Sequence, residues 1–104
     1  MSHPVRITAL AEADIAKAQD WYEIQSVGLG SRFVKAVRKT AVRIAQTPFI
    51  YQIALEDARR ARVRGYPYAV WYRILEDESV VIACLSHRQD LDLAKKRVLG
   101  TVEP

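Results

Sequence analysis

The residues of this chain best equipped for chemistry stand just past an apolar run, where Ser86-His87-Arg88-Gln89-Asp90 follows Val80 to Leu85. A strand end is a rigid place from which to present a side chain, and functional groups often sit there. His87 carries the group of that knot that gains and loses a proton near neutral pH. Arg88 beside it, with Arg60, Arg62 and Arg73 earlier in the chain, supplies fixed positive charge suited to anions. One histidine beside arginines is not an acid–base pair, and His87 reads equally well as hydrogen-bonded scaffold. Metal chemistry has no ligand spacing to work with, since the two histidines and one cysteine are scattered; no metal or other cofactor is expected. Cys84, inside the apolar run, reads as a small buried hydrophobe rather than a nucleophile. Gly28-Leu29-Gly30 follows no strand and lacks a third glycine at the nucleotide-fingerprint distance, so it reads as a chain break. The chain contains no Gly-x-Ser-x-Gly or His-Glu-x-x-His element, and no carboxylate pair in an apolar setting.

These residues need a scaffold, and 104 residues, half of them hydrophobic, suffice for one core and one domain, 1–104. No apolar run approaches the ~20 residues a membrane helix requires. The first residues lack the charged-then-apolar pattern of a signal peptide. A cytoplasmic location without membrane contact is the expectation. Sixteen Lys and Arg against twelve Asp and Glu leave a net charge of +4, which suits an acidic partner, either nucleic acid or an acidic protein segment.

The scaffold around the chemistry reads as a three-stranded meander. From Ala58 to Arg64 the pattern alternates, with Arg60, Arg62 and Arg64 on one side and Ala61 and Val63 on the other. Gly65-Tyr66-Pro67 breaks the run. Tyr68 to Leu75 is aromatic and β-branched, with Tyr68, Val70, Tyr72 and Ile74 on one face and Ala69, Trp71, Arg73 and Leu75 on the other. After the polar turn Glu76-Asp77-Glu78-Ser79, the continuous apolar run to Leu85 is expected of a strand buried on both faces.

Ahead of the meander the period changes. Val5 to Thr8 is a short strand candidate, able to join the sheet at an edge. From Leu10 to Gln25, Ala11, Ile15, Ala18 and Tyr22 form a helical stripe that Trp21 is expected to widen, with Glu12 and Asp14 in the first turn. Past the break at Gly28, Phe33, Val37, Ala41 and Ile44 make a second stripe. Arg32, Lys35, Arg38, Lys39 and Arg43 occupy its other side, read as a solvated face with a phosphate-backbone role as the alternative. Thr47-Pro48 ends that helix. Phe49 to Asp57 connects to the meander, as a short strand or a loop over the core. Leu91 to Leu99 reads as a short terminal helix or an extended tail with Lys95, Lys96 and Arg97 exposed, and Gly100 to Pro104 should fray. The fold class is α+β in the order β-α-α-β-β-β, a helical hairpin packed on a small antiparallel sheet.

In this order the local motifs resemble a known family. Ala11-Glu12-Ala13-Asp14-Ile15, Trp21-Tyr22, Gly28-Leu29-Gly30 with Phe33, Tyr66-Pro67-Tyr68-Ala69-Val70-Trp71-Tyr72, and Val80-Val81-Ile82 through His87-Arg88-Gln89-Asp90 are similar to the RelE/ParE superfamily of type II toxin–antitoxin toxins, from Val5 to about Arg97. The resemblance implies a small basic protein that poisons its own cell and is neutralised by a cognate antitoxin. RelE-like members cut messenger RNA on the ribosome, whereas ParE-like members inhibit DNA gyrase. The Tyr-Pro-Tyr run and the His-Arg-x-Asp ending look closer to the ParE branch. In the nuclease branch an arginine commonly stands where this chain has Ala69, and a tyrosine where it has Ala94.

The resemblance therefore implies a ParE-like toxin acting by protein–protein contact, not an enzyme. Its target-binding residues are expected among Arg60, Arg62, Arg73, Arg88, Lys95, Lys96 and Arg97. The alternative is an RNA-cutting enzyme, dependent on the ribosome or independent of it, with His87 and Arg88 at its site. RNA cleavage through a 2′-hydroxyl needs a proton acceptor, a proton donor and cationic stabilisation of the phosphate. A third reading is a non-toxic binding module on the same fold.

Overall fold

The computed structural model of the chain describes residues 3–88 and 91–100. Its central strand, β4 (Tyr68–Ile74), keeps the period of two seen in the sequence. Val70 and Tyr72 enter one apolar cluster, and Trp71 enters another on the opposite face. Ahead of it in the chain come β1 (Val5–Ile7), α1 (Ala9–Gln25), α2 (Leu29–Gln46), β2 (Ile53–Leu55) and β3 (Ala58–Arg62); after it come β5 (Ser79–Ser86) and α3 (Leu91–Gly100). The expected β-α-α-β-β-β order is present, with β2 formed in the connector and α3 closing the chain. The sheet runs β1-β5-β4-β3-β2. Its pairs are antiparallel except at one edge, where β1 lies parallel to β5 with Val5 opposite Ser79. A three-residue strand has too little pattern to reveal its direction, so this parallel edge was not legible beforehand.

The α1–α2 hairpin covers one face of the sheet. Ala11, Ile15, Ala18 and Tyr22 meet Phe33, Val37 and Ile44, and together they pack on Ala61, Val63, Val70, Tyr72, Val81 and Cys84. The rings of Tyr22, Phe33, Tyr66 and Tyr68 form the aromatic end of this core, with Tyr22 stacked on Phe33 at 5.1 Å. Trp21 corrects the expected stripe: it is 55% exposed and meets Tyr22 only edge-on. Tyr22 already fills the inward position, and the neighbouring residue on a helix points about 100° away. Ala41 is likewise only half-buried, its place on the inner stripe taken by Thr40.

Gly28 takes the left-handed conformation at φ +88°, which turns the chain between the helices. Gly30 serves close approach, since a Cβ there would lie 2.7 Å from the carbonyl oxygen of Gln19. The amides of Gly28 and Gly30 donate to the two oxygens of Glu23 at 2.9 and 3.0 Å. The start of α2 thus already holds an internal anion.

On the other face α3 lays Ala94 and Val98 over Trp71, Val80, Ile82 and Leu85, which is why β5 is apolar on both sides. A bulge in β5 at Ile82 accommodates both layers, since Trp71 faces Ala83 while Tyr72 faces Val81. β3 ends at Arg62, two residues short of the expected Arg64. Val63 nonetheless stays buried and donates its N–H to the carbonyl of Tyr68. The expected fraying of 101–104 falls outside the described residues.

With the faces assigned, Val70→Ala should cost roughly 2 kcal/mol, from two methyl groups removed at a site that is 1% exposed. Arg62→Ala should cost well under ~1 kcal/mol, because its side chain is exposed and forms no ion pair with a described residue. Urea unfolding of the two variants tests the orientation: the reverse order of costs would mean that the strand faces are exchanged.

Candidate functional site

The sequence pointed to a cationic patch at the strand ends, and the structure divides its members into two groups. Arg60 lies on the α3 face of β3, opposite Trp71, with its guanidinium 5.9 Å from the indole ring. Arg62 is exposed two residues on, opposite Ala69, which in turn faces Leu85 of β5. His87 and Arg88 are exposed in the turn after β5, and the His87 amide donates to the Pro67 carbonyl at 2.9 Å. That bond ties the turn after β5 to the loop before β4. Gln89 and Asp90, the rest of the polar knot, lie outside the described residues.

His87, Arg60 and Arg62 are electrostatic neighbours. The imidazole is pushed below its ordinary 6.5, first by partial loss of solvent and then by Arg60 and Arg62, all of which disfavour the imidazolium. Folding therefore favours the neutral ring, so this site's contribution to stability is complete above pH 6.5 and declines as pH falls from 6.5 toward the lowered value. Following the His87 ring protons by NMR should give a pKa under 6.5 that moves part of the way back in Arg60→Gln. An unchanged value in Arg60→Gln would remove the arginine contribution and leave desolvation alone.

The second group is committed to holding the fold. Arg73 donates through Nε to Asp57 at 2.8 Å and through Nη2 to the Val98 carbonyl, anchoring the end of α3. Arg97, expected to be exposed, is instead half-buried and paired with Asp14 of α1 at 2.7 Å. It also donates to the Ile82 carbonyl at 3.0 Å, while Asp14 accepts from the Cys84 amide at 3.0 Å. β1 pairs with β5 only as far as Val81, so Asp14 and Arg97 occupy the edge of β5 beyond it. Lys95 and Lys96 remain exposed on α3.

Asp14 is the residue that sequence reasoning underused, taking it only as a first-turn acid. The available signal was its spacing, three residues after Ala11 and four before Ala18, which puts a carboxylate on the inward stripe. Burial and then Asp14 push the Cys84 thiol up to about 12, so it stays protonated and inert. Among the described residues, no three His, Cys, Asp or Glu side chains are grouped to hold a metal ion. None of the described helices is long and apolar enough to cross a membrane.

Ala94 packs in the α3 layer and is 4% exposed, and Ala69, opposite Leu85 in the sheet, is 1% exposed. The patch above them offers fixed cations and one exposed imidazole. A family model for the ParE toxin of type II toxin–antitoxin systems matches residues 5–91. The chain belongs to the ParE toxin family.

The fold is shared more widely. A chain of the chromosomal ParDE toxin–antitoxin system from P. aeruginosa superposes with a TM-score of 0.74 at 13% identity, covering 82% of this chain and 96% of that one. The E. coli toxin RelE, as a double mutant in the free state, gives 0.71 at 16% identity, covering 98% and 100%. A chain of the RelBE2 toxin–antitoxin complex from Mycobacterium tuberculosis gives 0.62 at 23% identity, covering 86% and 95%. No curated protein matches the sequence at a significant level. ParE and RelE neighbours lie at similar structural distance, so fold likeness alone does not choose between their activities.

Proposed function

We propose that this ParE-family toxin inhibits DNA gyrase by protein–protein contact, with the exposed cations Arg60, Arg88, Lys95 and Lys96 at the contact and Arg62 at its margin. The observation that carries the reading is the character of the α3 face. Ala69 and Ala94 are buried packing residues, and His87 is the single acid–base group beside Arg60 and Arg62 among the described residues. Strand cleavage by 2′-hydroxyl attack requires two positioned proton-transfer groups, and each typically contributes ~10²–10⁴ in rate. A cationic surface suited to an acidic protein face requires neither. Arg73 and Arg97 support the surface from within by fixing α3.

The neutralising partner in this reading is a cognate antitoxin with an amphipathic, acidic segment. Phe49 and Ile53 are 69% and 55% exposed, and Arg59, opposite Ile53 in the sheet, lies over the Phe49 ring at 5.2 Å. Apolar side chains bracketing an arginine suit such a segment.

Purified toxin added to gyrase should suppress DNA supercoiling, and co-purified antitoxin should restore it. Toxin–antitoxin association should slow as salt rises. Messenger RNA should stay intact in cells expressing the toxin alone. Normal supercoiling at saturating toxin, together with site-selective cleavage of translated messages, would overturn the reading in favour of the RNA-cutting alternative.

A further inference from the structure

A second cationic groove lies between α2 and the end of β3; it shares Arg62 with the margin of the proposed gyrase contact, which makes no use of its α2 wall. Its volume is about 660 Å³, and Arg32, Lys35, Lys39 and Arg43 of α2 face Arg62 and Arg64 across it. All six side chains are exposed, and none forms an ion pair with a described residue. The local sequence explains why. From Ile24 to Leu55 the chain has no Asp or Glu, and between Glu23 and Glu76 the only acids are Glu56 and Asp57. Asp57 is already bonded to Arg73. A solvated helix face on a soluble protein ordinarily mixes its charges; this one carries a single sign on both walls of a concavity.

We infer that this groove binds the phosphate backbone of duplex DNA. The α2 cations repeat at three, four and four residues, so they form one row along the helix, about 16 Å from Arg32 to Arg43. Measured along the duplex axis, that length corresponds to roughly five phosphates of one strand at ~3.4 Å of rise each. Arg62 and Arg64 supply the opposing wall. Proteins that hold single strands stack bases on exposed aromatic rings. The one aromatic residue of this groove, Tyr51, is half-buried and set edge-on to Tyr72 at 6.3 Å, so no stacking platform is offered. An acidic amphipathic peptide would require apolar anchors; the groove's remaining lining is Ala36, Thr40 and Gly65.

The choice of DNA over other duplexes rests on the reading that the toxin works at an enzyme engaged with DNA. There the groove adds a weak, sequence-independent tether that keeps the toxin beside its target.

Fluorescence anisotropy of a random-sequence 20-base-pair DNA duplex, titrated with the full chain at several salt concentrations, tests the proposal without gyrase present. If all six cations neutralise phosphates, log K should fall against log[salt] with a slope of about −5. Lys35→Gln/Lys39→Gln/Arg43→Gln should flatten that slope by about 2.7, and Lys39→Gln alone by about 0.9. Lys17→Gln, on exposed α1 surface, should leave it unchanged. These side chains are solvent-exposed, and circular dichroism verifies that each variant is folded. An unchanged slope in the triple variant, or tighter binding to a double-stranded RNA of equal length or to polyglutamate, overturns the inference. A supercoiling assay run in parallel separates the two proposals. DNA binding without gyrase inhibition sinks the gyrase reading, and inhibition without groove-dependent DNA binding sinks this one.

Discussion

Asp14→Ala is expected to cost about 3 kcal/mol in urea unfolding, more than any exposed substitution on this surface. The side chains of Asp14 and Arg97 are 17% and 14% exposed, so the pair is shielded without being fully dry. Removing the carboxylate takes this counter-charge from the Arg97 guanidinium and leaves the Cys84 amide without its acceptor. Breaking a buried ion pair by removing one partner costs ~3–5 kcal/mol, and an orphaned amide ~1–3. Residual solvent contact and relaxation of Arg97 toward water place the total at the lower end. Replacing both partners by apolar residues of similar size should recover much of the loss, because the desolvation of two charges is then avoided. A single-site loss below ~1 kcal/mol would show that water already serves the β5 edge.

Arg88→Glu should abolish toxicity while His87→Gln leaves it almost unchanged. Arg88 is exposed, so charge reversal costs the fold little. At a complementary interface, however, a like-charge contact costs several kcal/mol, weakening binding by roughly a hundredfold or more. Induced cells carrying Arg88→Glu should grow as uninduced cells do, with soluble folded toxin present. His87→Gln keeps a polar side chain and removes the titrating group, so it separates proton transfer from shape. Loss of killing in His87→Gln with Arg88→Glu still lethal would reverse the roles assigned to these neighbours.

Much of this molecule was legible where a regular period met a long element. Tyr68, Val70, Tyr72 and Ile74 against Ala69, Trp71 and Arg73 is a two-residue alternation, and it located both faces of the sheet. Ala11, Ile15, Ala18 and Tyr22 did the same for α1. Trp21 misled because hydrophobicity argues for burial while the helical angle argues against it, and the angle prevailed. Arg73 and Arg97 were hidden for a different reason. Their partners, Asp57 with the Val98 carbonyl, and Asp14 with the Ile82 carbonyl, lie far along the chain and include backbone atoms, which carry no sequence signature. The α2 groove was half visible as a basic helix face. Its second wall required knowing that β3 ends beside α2.

Asp14 and Arg97 are 83 positions apart, which makes α3, synthesised after every strand, the element that seals this face of the sheet. During synthesis, which runs at ~5–20 residues per second from the N-terminus, the α1–α2 hairpin and the β3–β5 meander leave the ribosome first. Until residues 91–100 follow, Trp71, Val80, Ile82 and Leu85 lack the cover of α3, and the Ile82 carbonyl lacks the Arg97 guanidinium on the outer edge of β5. A message broken short of Arg97 would thus yield a chain with a bare apolar face and an open strand edge, the two features that drive association between chains.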